Sequence, residues 1–230
     1  MTAQIIEEPA FRERLHVFRD RFQAGGLLAQ KLGEYRGKEN VIVLAVPAGG
    51  VPIGYVVAKE LCVPMDVVIV RKIQIPWNTE AGFGAITWDG ETVLNEPLVE
   101  QLNLTKEETA ESISMTKKNI RERLRKFRQN KPMPQLRDKI IILVDDGLAS
   151  GFTMLAAARS ARKSMPKNVV VAVPTASLGA IELLLTEVDK IICLNIRSGP
   201  SFAVADAYEN WYDLTETEVL KILSEKQSEN

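Results

Sequence analysis

Short, nearly unbroken runs of Val, Ile and Leu, separated by helix-length segments, set the tightest limit on how this chain can fold. Residues 41–46, 65–72, 140–144, 169–173 and 190–194 read as strands. A strand with one wet face would alternate polar and apolar residues with a period of two, and these runs do not, so both faces are expected to be buried. Segments 51–62, 152–163 and 178–188 lie between them and read as helices. Strand–helix–strand alternation predicts an α/β fold with a mostly parallel sheet covered by helices. Ligands of such sheets bind at the C-terminal ends of the strands, so the loops that follow the runs are the places to look for chemistry.

Other stretches depart from this rhythm. Residues 83–87 and 91–95 flank Asp89-Gly90, a hairpin signal. Residues 105–128 predict one long charged helix, with Thr105 and Glu108 in capping-box spacing. Its cationic end holds Lys117, Lys118, Arg121, Arg123, Arg125, Lys126 and Arg128, but Glu107, Glu108, Glu111 and Glu122 interleave with them. That mixture reads as a solvated face, and a net charge of −1 gives no electrostatic case for nucleic acid. Residues 129–138 read as a linker, 9–37 as a helical arm weakened at Gly25-Gly26, and Thr215/Glu218 as the cap of a terminal helix.

Several chemistries are disfavoured. Residues 1–12 are too charged for a signal peptide and no apolar run reaches membrane-spanning length, so a cytoplasmic protein without a membrane partner is expected. Cys62 and Cys193 stand in apolar contexts and are expected to be buried free thiols. His16 is the sole histidine, predicted on a helix surface. With no Cys-x-x-Cys, a zinc centre and a histidine general base are both unsupported.

The most informative loop follows the 140–144 run. Asp145 and Asp146 end the strand, and Gly147, Leu148, Ala149, Ser150, Gly151, Phe152 and Thr153 lead into a helix. Two glycines, two hydroxyls and a helix N-terminus make an anion cradle. Carboxylates would repel a phosphate, so the acid pair suits another part of the ligand, such as vicinal sugar hydroxyls. Other readings fit less well. A nucleotide P-loop needs a Lys after Gly151, and a dinucleotide fold needs a Gly-x-Gly-x-x-Gly after its first strand. A receiver domain would place the acids near its start, and a plain turn after a buried strand is the bland alternative.

This segment resembles the phosphoribosyl-diphosphate (PRPP) motif of the type I phosphoribosyltransferases, matched in full from Ile142 to Thr153. Pro47–Gly50 resembles the family's pyrophosphate loop. Asp20-Arg21 with Ala24-Gly25, Val70–Lys72, Gly84–Ile86, Val173-Pro174 and Phe202–Val204 are strung along the chain as in a phosphoribosyltransferase-like subgroup of bacteria and archaea. One departure stands out: relatives often have Pro-Arg-Gly-Gly where this chain has Ala48. The resemblance implies a single domain over 1–230. Its core would be about 38–95 and 138–194, its hood 1–37 and 195–214, its flap the hairpin, and its inserted helix about 105–130. It implies transfer of phosphoribose from PRPP to a nitrogenous base or related amine, with Mg²⁺ carried on PRPP and no direct protein–metal bond. Asp145 and Asp146 would hold the ribose, and Gly147–Thr153 the 5′-phosphate. Ala48, Gly49, Gly50, Arg71 and Lys72 would face pyrophosphate, with Asp66 or Glu80 as alternative neighbours of the two cations. Phe202, Tyr208, Trp211 and Tyr212 either stack on the acceptor or pack the hood, and Trp77 and Trp88 are lid residues or local staples. A non-catalytic PRPP or nucleotide sensor is the competing reading, favoured by Ala48, and a sugar-phosphate hydrolase or phosphorylase is a third. A homodimer is expected only by analogy.

Overall fold

The computed structural model of the chain describes residues 2–228. Its main sheet takes up the Val/Ile runs. It comprises β1 (Gln4–Ile6), β2 (Val41–Ala45), β3 (Met65–Val67), β7 (Ile140–Val144), β8 (Asn168–Ser177) and β9 (Lys190–Arg197). The order is β1-β9-β8-β7-β2-β3, with every pairing parallel. Alternate residues of one strand enter opposite layers. Val41, Val43 and Ala45 pack with α1 (Arg21–Lys31), α2 (Gly50–Leu61) and α7 (Glu216–Ser228). Ile42 and Leu44 pack with α5 (Phe152–Lys163) and α6 (Leu178–Leu184). Burial on both faces is why the sequence showed no alternation.

A second, antiparallel sheet holds β4 (Val70–Ile75), β5 (Asn78–Thr87) and β6 (Thr92–Leu94). Two further helices follow it, α3 (Glu96–Gln101) and α4 (Lys106–Arg128). The 105–108 capping box forms in full: the Thr105 hydroxyl accepts from Glu108 N–H at 3.1 Å, and Glu108 accepts from Thr105 N–H at 2.9 Å. Among the described residues no helix is long and apolar enough to cross a membrane.

Several expectations need correction. The 65–72 run is two strands, because Val68 makes the last bond to β2 (to Ala45 O) and Ile69 then accepts from Trp88 in the second sheet. The arm before Arg21 is turns and β1, and Gly25 and Gly26 lie inside α1 instead of breaking it. Gly25 sits there because a Cβ would stand 3.0 Å from Val56 Cβ of α2. Pro174 does not end β8: beyond Ala172 the strand has outrun β7, so the missing N–H forfeits no ladder bond on that side. The helix after it starts at Leu178 as expected but stops at Leu184. His16 is exposed but not helical. It has φ 51°, and its Nδ1 lies 3.0 Å from Tyr208 O. Cys62 is exposed, since it is the left-handed residue that terminates α2; Cys193 is buried, which pushes its thiol pKa up.

Candidate active site

The topology itself creates a crevice. From β2 the chain crosses through α2 to β3 on one side, whereas β7 continues to β8 and β9 on the other, so the loops after the adjacent strands β2 and β7 diverge. Residues 47–50 and 145–151 are those loops. Ala45 pairs with Val144, and Val46 N–H donates to Val144 O at 2.9 Å, which sets their starting points side by side. The Pro47–Ala48 peptide is cis. Gly49 is required by close approach: a Cβ there would stand 1.8 Å from Asp146 Oδ2.

The 145–153 loop is pinned from below and open above. Leu148 N–H donates to Thr175 O, Ser177 N–H to Leu148 O, and the Ser177 hydroxyl to Ala149 O at 2.6 Å. Leu148 is consequently a buried core residue, whereas Ala149 and Ser150 are exposed. Gly151 takes φ +79°, a left-handed turn that glycine adopts without strain, and α5 begins there with no side-chain cap. The first N–H groups of α5 and the positive end of its dipole therefore face the cleft, an arrangement suited to a phosphate.

That cleft has a volume of about 600 Å³ and is lined by residues 145–154, by Lys72, Gly82 and Gly84 of the antiparallel sheet, and by Val204. Asp145 accepts from Asp146 N–H at 2.9 Å. Burial, and next the negative charge of Asp146, raise the Asp145 pKa well above the usual carboxylate range. Burial also raises Asp146, and Arg21 opposes it. Arg21 Nε and Nη2 each stand 2.9 Å from Asp146 Oδ2.

Arg21 is a site residue that the sequence did not mark for this role. It is the first residue of α1, whose N-cap Asp20 accepts from Gln23 N–H at 2.8 Å. It is 6% exposed, donates to Tyr212 O at 2.9 Å, and lies 3.9 Å above the Trp211 ring. Its partner is distant in sequence, so the local signals were only its place directly after an N-cap Asp and the Asp20-Arg21 pair in the family resemblance. Tyr208 is buried, donates to Asp146 O at 2.6 Å, and packs 5.3 Å from Trp211 and 5.6 Å from Phe18. Residues 16–19 and 206–210 are laced by backbone bonds, including Phe18 N–H to Ala207 O and Glu209 N–H to Phe18 O.

The remaining sequence candidates divide between the cleft and packing roles. Lys72 lines the cleft, but Arg71 does not: neighbours on a strand point to opposite faces, and Arg71 faces α4. Asp66 bonds Arg128 instead of either cation, and the Glu80 side chain lies outside the described residues. Phe202 lies 5.0 Å beneath the Arg197 guanidinium, and one Trp211 face is taken by Arg21. Trp77 is exposed beyond the tip of β4, and Trp88 is half-buried against both core layers. Among the described residues no cluster of three or more His, Cys, Asp or Glu could hold a metal.

Sheet order and crevice define an α/β protein of the type I phosphoribosyltransferase fold. The chain belongs to the phosphoribosyl transferase family, whose domain profile matches residues 19–205. Two Mycobacterium tuberculosis proteins, provisionally named phosphoribosyl transferases, are 36% identical over 212 residues. The match spans 91% of this chain and 47% of theirs, so the chain covers about half the length of those relatives. The crystal structure of TT1426 from Thermus thermophilus is 34% identical and superposes with a TM-score of 0.72, covering 90% of this chain and 98% of that one.

Proposed function

We propose that this protein transfers the phosphoribosyl group of PRPP to a nitrogenous acceptor. The observation that carries the reading is one cleft, at the switch point of the sheet, holding both an acid pair and an uncapped helix N-terminus. The 5′-phosphate would sit on the residue 149–153 amides and the Ser150 and Thr153 hydroxyls. The ribose hydroxyls would donate to Asp145 and, in part, to Asp146. Lys72 would face the pyrophosphate across the cleft, with the 48–50 backbone behind Asp146. Attack of the acceptor nitrogen on ribose C1 would form the C–N bond as the C–O bond to pyrophosphate breaks, through an oxocarbenium-like transition state. A histidine is not needed for this, because orientation and charge neutralisation supply the rate.

The cleft suits magnesium carried by the substrate. Magnesium keeps oxygen ligands from phosphates and one or two carboxylates, and Asp145 is the carboxylate not already engaged by Arg21. The ion would supply neutralisation of the departing pyrophosphate. A PRPP sensor of the same fold is the second reading, favoured by Ala48 in place of a cation and by Arg21 occupying Asp146.

Incubation with PRPP, Mg²⁺ and a panel of purine, pyrimidine and amine acceptors, with pyrophosphate followed continuously, tests the proposal. Acceptor-dependent release supports the transferase. Tight PRPP binding with no release for any acceptor supports the sensor, and no PRPP binding removes both.

A further inference from the structure

Outside the cleft, Arg71 of β4 and Arg123 of α4 are cations in each other's field, and neither is bonded to a carboxylate among the described residues. Arg71 on β4 is partly buried and has no hydrogen bond or ion pair among the described residues. Its neighbour in the field is Arg123 of α4, and burial together with that like charge pushes the Arg71 pKa down to about 10. Arg123 lies 5.4 Å from the Phe127 ring, and its Nη1 is buried without a hydrogen-bond partner among the described residues. Glu216 attracts Arg123 electrostatically, but its carboxylate accepts from Lys126 at 2.6 Å. Partly buried guanidinium groups are costly to desolvate and repel each other, so binding of an anion beside them is favoured.

The space for an anion exists. Ser112, Thr116, Asn119 and Arg123 recur at helical spacing on one face of α4, which packs against β4. Between the two elements runs a groove of about 240 Å³ lined by Arg71, Lys72, Gln74, Ser112, Thr116 and Asn119, with no carboxylate among its described lining residues. Arg123 lies one turn beyond Asn119. The Thr116 hydroxyl is spent on Ser112 O at 2.8 Å, but amide and guanidinium donors around a hollow with no carboxylate among its described residues match the oxygens of a phosphoryl group.

We propose that Arg71 and Arg123, with Asn119, form a binding site for a small phosphorylated anion, separate from the cleft that holds Asp145 and Asp146. The site goes beyond the transferase reading and does not depend on it. It adjoins the cleft through Lys72, which lines both hollows.

Inorganic pyrophosphate is the probe. The Nε–Hε resonances of Arg71 and Arg123 are followed in ¹H–¹⁵N spectra during titration, each assigned by its disappearance in Arg71→Gln or Arg123→Gln. Both peaks are expected to shift saturably, equally in the wild type and in a D145N/D146N protein. Arg71→Gln is expected to weaken that response of the Arg123 peak at least tenfold. Backbone amides 149–153 report the cleft independently, so failure of one site does not conceal the other. The proposal is overturned if the arginine peaks stay fixed at millimolar pyrophosphate, or if they move only when the acid pair is intact. It is also overturned if they follow protein concentration instead of pyrophosphate, which would give the groove to a carboxylate of a second copy. If Arg71→Gln does not fold, the wild-type and Arg123→Gln spectra still decide the matter.

Discussion

Replacing Arg21 by Met removes the cation that opposes the effect of burial on the Asp146 carboxyl. Arg21 is 6% exposed, gives Asp146 Oδ2 two contacts at 2.9 Å, and leaves Asp146 only 15% exposed at the side chain. Removing one member of a buried pair typically costs about 3–5 kcal/mol, because the other charge stays behind unpaired. The stacking of Arg21 on Trp211 at 3.9 Å is lost as well. At ~2–4 °C per kcal/mol for a chain of this size, the melting temperature should fall by roughly 6–20 °C at neutral pH. The sign of the pH dependence follows from linkage. Without Arg21 the folded-state pKa of Asp146 climbs further above its unfolded value of about 3.9. A group raised in this way stabilises the fold below the unfolded pKa and loses that contribution as pH rises through the folded pKa. The gap between wild type and R21M should therefore be widest at neutral pH. It should narrow toward about pH 4, by ~1.4 kcal/mol for every pH unit that the Asp146 pKa has climbed. Urea unfolding of both proteins at neutral and acidic pH measures it. A gap below ~1 kcal/mol, or one that does not change with pH, refutes the view that Arg21 compensates a buried charge.

Two further outcomes follow from the same geometry. Asp145→Asn removes a carboxyl whose pKa burial and Asp146 hold well above normal, while keeping an oxygen for the Asp146 N–H. It should raise the melting temperature at neutral pH, by ~2–4 °C for each kcal/mol of charge burial relieved, with the gain disappearing below about pH 4. Thermal scans across pH that show no gain would contradict it. Gly49→Ala would place a Cβ 1.8 Å from Asp146 Oδ2, so the loop or the carboxylate must move. Displacements of that order cost about a hundredfold in well-positioned sites. PRPP affinity should drop at least ~tenfold by calorimetry, and unchanged affinity would count against convergence of the two loops.

How much the sequence disclosed depended on distance along the chain. The 140–144 strand and the 152–163 helix carried local signals, unbroken β-branched residues and a Gly-led start, and both formed with those boundaries. The 105–108 box was equally legible, since both partners lie within one turn. Failures came where a distant element decided the outcome. The 65–72 run looked continuous because Val67 and Val70 are equally apolar, yet they belong to different sheets. Pro174 looked like a strand end because nothing local showed that β7 had already stopped. In the site, Asp145 and Asp146 announced themselves as a pair, but Arg21 binds across 125 positions with no periodicity to betray it. Arg71 and Lys72 looked equivalent by charge, yet both line the groove beside α4 and Lys72 alone also reaches the cleft.

Calorimetric titration of PRPP with Mg²⁺ into the wild type and the D145N/D146N double variant addresses the central claim most directly. Both should be folded at the titration temperature and unfold cooperatively, while the double variant binds more than about tenfold more weakly, a loss above ~1.4 kcal/mol. Equal affinity in two folded proteins would contradict the assignment of the acid pair to the sugar.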